Sequence, residues 1–218
     1  MIFFDFDCET TDFFNTLVQV AKLGYLSVLK WIHSNYPKLK TSESLIDHAV
    51  CSGNLELVEW INENRSEPCS SLAMDNAALY NHLKLLKWLH FNRSEGCSVD
   101  AMNFASRHNL QMVKWLHFNR SEGCTLDALR SAIIFNRSDI VKFLIENRSE
   151  CYNEEAAKEI KLAISHSDYD IIQYFYQKFK YSNSDFTYHR ELDGTTCDQN
   201  SIFNMDISEL SFCDDDEY

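Results

Sequence analysis

The sequence predicts an all-α solenoid, a stack of about six helix-turn-helix repeats, because three columns of residues recur at one period. The first column is aromatic and recurs every 27 to 31 residues: Trp31, Trp60, Trp88, Trp115, Phe143 and Tyr174. The second column is alanine: Ala21, Ala49, Ala77, Ala105, Ala132 and Ala163. The third is a linker that reads Asn-Arg-Ser-Glu and begins at Asn64, Asn92, Asn119 and Asn147.

Each unit is predicted to contain two helices, as residues 98–119 illustrate. Ser98 is the predicted N-cap of a first helix that runs to His108. The second helix, Leu110 to Phe118, is apolar almost all round, so neighbouring units must cover it. The aromatic column is therefore predicted to be core, and removing one of its tryptophans is predicted to cost about 3–5 kcal/mol. The polar stripe predicted to face solvent consists of Gln111, Lys114 and His117. Further N-caps are predicted at Thr41, Ser71 and Thr125.

The second helices resemble those of ankyrin repeats. Residues 53–61, Gly-Asn-Leu-Glu-Leu-Val-Glu-Trp-Ile, are similar to the family's Gly-His-Leu-Glu-Val-Val-Lys-Leu-Leu, and residues 81–89 follow closely. The first helix lacks the family's Thr-Pro-Leu-His opening, and the unit has 27–28 residues against about 33 in the family. The difference falls in the linker, so the resemblance implies truncated β-hairpins. The tryptophans and the linker resemble the short ankyrin-like repeats of amoebae and giant DNA viruses.

Charge divides the chain into a predicted repeat domain, residues 1–180, and an acidic C-terminal extension, residues 181–218. The formal net charge is −13, and ten of the 33 acidic residues follow Lys180. The extension is predicted to be solvated and disordered. Its segment 202–212 mixes apolar and acidic residues, and capping of the last helix pair and docking to a partner both stay open for it.

Composition and charge argue against several classes of function. An acidic chain is expected to bind nucleic acid and anionic membrane surfaces poorly, because like charges repel each other. No apolar run approaches the 18 residues that suggest a membrane span. The start of the chain lacks the basic region of a signal peptide. The protein is therefore expected in a reducing intracellular compartment, the cytoplasm, or the host cytoplasm if it is viral.

The recurring cysteines are interpreted as small buried packing residues. They are Cys69, Cys97, Cys124 and Cys151. Equivalent positions in stacked helices should lie about 8–10 Å apart, whereas a disulfide needs Cα atoms about 4.4–6.8 Å apart. Disulfides between units are therefore not expected. No Cys-x-x-Cys pair is present, so no metal site is predicted.

The other recurring polar residues also receive structural interpretations. No carboxylate or nucleophile recurs at a fixed spacing from His33, His90 and His117, so these histidines are predicted to be solvated. No catalytic residue and no cofactor are predicted for the chain. The linker Arg and Glu residues are predicted to form a surface ladder between units. The linker asparagines are predicted to adopt left-handed dihedrals at helix ends.

The family resemblance implies a non-enzymatic scaffold that binds a protein partner through the concave face lined by the first helices. The chain is expected to be a monomer. Positions that vary around the alanine column are the predicted partner-binding residues: His48, Asn76, Tyr80, Phe104, Arg107, His108, Ser131 and Phe135. The apolar residues Leu79, Ile134 and Leu162 are assigned to the core. Two alternatives stay open, namely an adaptor that recruits a target to ubiquitin machinery and a structural component of a larger assembly.

Overall fold

The computed structural model describes residues 11–37, 39, 41, 44–151, 170, 171, 173, 174 and 178. Within this part of the chain, ten α-helices form five consecutive pairs, as the repeat predicted. Most of the expected sixth pair, including Leu162 and Ala163, lies outside the described residues, and so does the acidic extension.

The first helices of the five pairs are α1 (Thr11–Lys22), α3 (Leu45–Ala49), α5 (Leu72–Leu79), α7 (Asp100–Ala105) and α9 (Leu126–Ile134). The second helices are α2 (Leu26–Asn35), α4 (Leu55–Asn64), α6 (Leu83–Asn92), α8 (Leu110–Asn119) and α10 (Ser138–Asn147). Short 3₁₀ turns follow α3 and α10 at Val50–Ser52 and Ser149–Cys151.

The alanine column allows the first helices to approach each other closely. α1 packs on α3, α3 on α5, α5 on α7 and α7 on α9, while each second helix packs mainly on the first helix of its own pair. The alanines of the five described pairs are all 0% exposed: Ala21, Ala49, Ala77, Ala105 and Ala132. A larger side chain there would force neighbouring helices apart. This part of the sequence-based prediction is confirmed.

The prediction that the tryptophan column is core is wrong. Trp31 is 58% exposed, and Trp60, Trp88 and Trp115 are only half-buried. The buried position is the next residue along each second helix: Ile32, Ile61, Leu89, Leu116 and Leu144. In α4, α6 and α8, the residues that point at the first helix are the leucine or isoleucine after the tryptophan and the two residues that lie two and three positions before the tryptophan. The tryptophan itself therefore lies at the border of the buried face.

Two of the tryptophans, Trp60 and Trp115, instead form edge-to-face contacts with a histidine of an earlier pair. The ring centroids of His33 and Trp60 are 5.4 Å apart, and those of His90 and Trp115 are 5.0 Å apart. His117 contacts Phe143 in the same way, at 5.2 Å. The prediction that these histidines are simply solvated is therefore wrong, since each is half-buried between second helices. Burial and the nearby Arg148 guanidinium lower the pKa of His117.

Helix ends follow the predicted chemistry in part. Thr125 is the N-cap of α9, and its side chain accepts from the N–H of Asp127. The N-cap of α3 is Ser44 and not Thr41, and its side chain accepts from Asp47 N–H. Ser71 occupies the N-cap position of α5 without a side-chain cap bond.

The linker asparagines do not adopt left-handed dihedrals, contrary to the prediction. Each asparagine is the last residue of its helix. Its side-chain amide nitrogen donates to the backbone carbonyl four residues earlier, for example from Asn92 to Trp88 at 2.8 Å. The positive φ values belong instead to the turns inside the pairs, at Asn81 (61°) and Asn136 (50°).

The linkers contain no strand within the described residues, so the expected truncation of the hairpins is complete there. Their Arg and Glu side chains pair within one linker, not between units as predicted: Arg65–Glu67, Arg93–Glu95, Arg120–Glu122 and Arg148–Glu150. The arginines then reach the preceding unit. Arg93 donates to Asn62 at 3.0 Å, and Arg120 contacts the His90 ring at 3.3 Å.

The prediction that disulfides between units are excluded is also wrong. Cys124 and Cys151 form a disulfide, with their Cα atoms 6.4 Å apart. The expected 8–10 Å spacing applies to helix axes, whereas these cysteines lie in the linkers, where successive chain segments approach more closely. Cys69 and Cys97 are not disulfide-bonded, and burial raises the pKa of each thiol to about 12.

A ladder of buried polar side chains joins the first helices, and sequence analysis missed it. Asp47, Asp75 and Asn103 recur two residues before the alanines and are 6%, 3% and 4% exposed. Each accepts a backbone N–H at the start of the next unit: Asp47 from Ser70 at 3.1 Å, Asp75 from Ser98 at 2.9 Å and Asn103 from Thr125 at 3.0 Å. The bonds fix the register between neighbouring repeats.

Asp75→Asn is expected to stabilise the protein near neutral pH. Burial raises the pKa of Asp75, because it disfavours the charged form. Between the ordinary and the raised pKa the folded state holds more protons than the unfolded state, so this contribution to the free energy of unfolding falls as pH rises through that window. Asparagine keeps an acceptor for the Ser98 N–H without the charge. Thermal unfolding should show a gain in Tm at about pH 7 that shrinks at about pH 3, below the ordinary carboxyl pKa.

The reciprocal change, Asn103→Asp, is the matched control one repeat further along. The Asn103 amide donates to Asp100 at 3.2 Å and to Thr125 at 3.1 Å, so a carboxylate there would face Asp100 and is expected to lower Tm at neutral pH. A lower Tm for Asp75→Asn at neutral pH would contradict the prediction and show that the charge of Asp75 stabilises the fold.

Candidate protein-binding surface

The eight residues predicted to bind a partner lie on the first helices or in the turns that follow them. Tyr80 and Phe135 are exposed, at 44% and 48%. His48, Asn76, Phe104, Arg107 and His108 are half-buried. Ser131 is only 8% exposed. The eight residues therefore differ widely in how accessible they are to a partner.

Two of the eight hold neighbouring repeats together. The Asn76 amide donates to the backbone carbonyl of Asp47 at 2.9 Å. The His108 ring nitrogen Nε2 is 2.8 Å from the carbonyl oxygen of Leu79. His82, at a different position of its repeat, has its Nε2 3.3 Å from the carbonyl oxygen of Cys51. The Asn76 and His108 side chains hold the first helix of one repeat against the first helix of the repeat before it.

Four of the eight form an aromatic and cationic group that we call the turn cluster: Tyr80, Phe104, Arg107 and Phe135. Tyr80, Arg107 and Phe135 occupy one column, eight residues before Trp88, Trp115 and Phe143. The column follows the end of each first helix, and two of its members from neighbouring repeats, Arg107 and Phe135, are in contact. Tyr80 also stacks on His82, with ring centroids 6.3 Å apart.

Arg107 lies between two aromatic rings. Its guanidinium carbon is 5.1 Å from the ring centroid of Phe104 and 5.9 Å from that of Phe135. Such cation–π contacts hold an arginine in place without neutralising its charge. The Nε atom is buried with no hydrogen-bond partner in the described part of the chain. The cluster thus presents a fixed positive charge flanked by aromatic surface.

The structure adds two residues to this surface that sequence analysis did not select. Ile134 was assigned to the core but is 68% exposed, so that assignment is wrong. Arg137 is exposed, and its Nε donates to the backbone carbonyl of Arg107 at 3.0 Å. Arg137 lies within an Asn-Arg-Ser triplet like those of the linkers, and its different spacing from the aromatic column is the signal that it is not a linker residue.

A second exposed aromatic group lies on the second helices. Phe91 and Phe118, at equivalent positions of α6 and α8, are 74% and 75% exposed. The prediction that neighbouring units cover Phe118 is therefore wrong. Each ring packs edge-to-face on the histidine before it, with ring centroids 4.9 Å apart for Phe91 and His90 and 4.8 Å apart for Phe118 and His117.

Within the described ranges, no group of three His, Cys, Asp or Glu side chains is arranged to hold a metal ion. In the same ranges, no helix is long and apolar enough to cross a membrane.

Comparison with known families gives one match. A family model described as ankyrin repeats (many copies) matches residues 74–117 and 101–145. These stretches contain most of α5 to α10, including the turn cluster. A search of curated proteins found no match. Ankyrin repeats generally mediate protein–protein interactions and are typically non-enzymatic scaffolds.

Proposed function

Since residues 74–145 are ankyrin repeats, we propose that this chain is a protein-binding scaffold whose partner contacts the concave, first-helix side of the stack. The observation that carries the proposal is the turn cluster, where Tyr80 and Phe135 remain about half exposed and Arg107 contacts the Phe135 ring. Tyrosine and arginine are enriched among the residues that dominate binding energy at protein interfaces. Of the other predicted partner-binding residues, Asn76 and His108 join neighbouring repeats, and His48 and Ser131 remain part of the proposed surface.

The proposal includes a monomeric chain with no nucleic-acid ligand. Four arginines that recur along the linkers are paired with glutamates of the same linkers. A polyanion would have to compete with these carboxylates for each guanidinium, so the linker row is a poor phosphate-binding track.

The experiment is a quantitative pull-down from a lysate of the cells in which the protein is naturally made. Wild type is compared with Tyr80→Ala/Phe135→Ala, which removes two exposed rings and should leave the fold intact. The matched control is Phe91→Ala/Phe118→Ala, which removes two exposed rings from the second helices. We expect specific partners to be lost from the first variant and kept by the control, with unchanged helical circular dichroism in both.

Equal partner lists for wild type and Tyr80→Ala/Phe135→Ala would overturn the proposed surface. Loss of partners only from Phe91→Ala/Phe118→Ala would favour a second candidate function, a structural role in a larger assembly. The exposure of Phe91 and Phe118 supports that candidate, because permanent interfaces are more apolar than exchanging ones.

A further inference from the structure

The arginines of this chain differ sharply in how their charges are balanced. Seven arginines lie in the described part of the chain, and five form ion pairs there: Arg65, Arg93, Arg120, Arg130 and Arg148. The two that form no ion pair with a described carboxylate are Arg107 and Arg137. Acidic residues outnumber basic ones by 33 to 20 in the full sequence, yet within the described ranges these two guanidinium groups have no carboxylate partner, and both lie on the surface that contains the turn cluster.

These two arginines lie next to each other. Arg137 Nε donates to the carbonyl of Arg107 at 3.0 Å, which leaves its two terminal nitrogens for another ligand. Asp139, the nearest acidic residue along the chain, is directed elsewhere, because its Oδ1 accepts from the backbone N–H of Ile140 at the start of α10. Asp127 of the same repeat is already paired with Arg130 at 3.0 Å.

Apolar surface borders the two charges. Phe104 and Phe135 flank the Arg107 guanidinium, and Ile134 is 68% exposed beside Phe135. The aromatic contacts restrict the rotamers of Arg107 in advance, so a carboxylate that binds it has less side-chain entropy to offset. A guanidinium takes a carboxylate through two parallel hydrogen bonds.

We propose that the turn cluster together with Arg137 and Ile134 binds an acidic peptide segment of a partner protein, with carboxylates on Arg107 and Arg137 and an adjacent aromatic or aliphatic side chain on Phe135 and Ile134. This inference rests on the proposed function and specifies the chemistry of its partner. Charge complementarity supports this partner: positive charges without counterions attract acidic segments and repel basic ones.

The test is selection of a random peptide library displayed on phage against the full chain, followed by affinity measurement on synthetic copies of the enriched peptides. We expect enriched peptides to carry Asp or Glu within a few residues of an aromatic or aliphatic residue. Their affinity should fall at least about tenfold in Arg107→Glu/Arg137→Glu and should also fall as ionic strength rises. Arg137→Glu alone, at an exposed position, should weaken binding even if the double variant does not fold.

Lys84→Glu/Lys114→Glu is the matched control, with the same change in net charge at exposed positions of α6 and α8. It is expected to keep most of the affinity. Equal losses of affinity in both double variants would mean that only the net charge of the protein matters, and would overturn the proposed site. Enriched peptides that are neutral or basic, and insensitive to Arg137→Glu but sensitive to Tyr80→Ala/Phe135→Ala, would overturn the acidic partner and leave the proposed function standing. Absence of enrichment over empty resin would overturn the inference and leave the pull-down to decide the proposed function.

Discussion

Leu116→Ala is expected to lower the free energy of unfolding by about 2–5 kcal/mol. Leu116 is 1% exposed and lies on the face of α8 that packs on its own first helix, α7. Truncation removes the transfer free energy of the side chain and leaves a cavity that rigid helix pairs fill only in part. Urea denaturation followed by circular dichroism measures the loss.

Phe118→Ala, two residues further along the same helix, is the matched control. Phe118 is 75% exposed, so its removal is expected to change the free energy of unfolding by less than about 0.5 kcal/mol. The two variants test the observed packing against the sequence-based prediction, which assigned the aromatic residues of this helix to the core. A large loss from Phe118→Ala and a small one from Leu116→Ala would contradict the observed packing.

Glu67→Gln is expected to lower the free energy of unfolding by about 3–5 kcal/mol, because it leaves a buried charge without its partner. The side chains of Arg65 and Glu67 are each 3% exposed. Arg65 Nε donates to Glu67 Oε1 at 2.9 Å, and its Nη2 donates to the Leu39 carbonyl at 2.7 Å. The ion pair therefore also joins this linker to the chain segment before α3.

Glu150→Gln is the control for the same chemistry at an exposed position. The Arg148–Glu150 pair spans 3.1 Å, and its glutamate side chain is 40% exposed, so solvent screens the charge and the expected loss is about 0–1 kcal/mol. Chemical denaturation of the two variants at one pH compares them directly. Equal losses would mean that burial of the Arg65–Glu67 pair has no energetic consequence.

Sequence analysis identified what each repeat has in common. The alanine column predicted where helices approach most closely, and the five alanines of this column in the described pairs are all 0% exposed. The period also predicted paired helices. The family resemblance implied a partner-binding side, and variation between the units selected Tyr80, Phe104, Arg107 and Phe135 on it. Whether that side binds a partner is a prediction that the lysate experiment tests.

The ladder of Asp47, Asp75 and Asn103 had a sequence signal that went unused. These residues recur two positions before the alanines of the column, next to buried apolar positions, where a polar side chain must find a hydrogen-bond partner. The partner is a backbone N–H more than 20 residues later, as in the bond from Ser98 to Asp75. Periodicity located the polar residue but did not identify its distant donor.

By itself the sequence determined the repeat period, the helix pairs and the buried alanines, because these depend on contacts that recur identically in every unit. Only the tertiary structure decided which side chains beside the buried face are covered. Trp115 is half-buried against His90 while Phe118 on the same helix is exposed, and Cys124 lies close enough to Cys151 for a disulfide. Those outcomes depend on the distance between neighbouring repeats, which changes from linker to helix, and a helical period does not encode that distance.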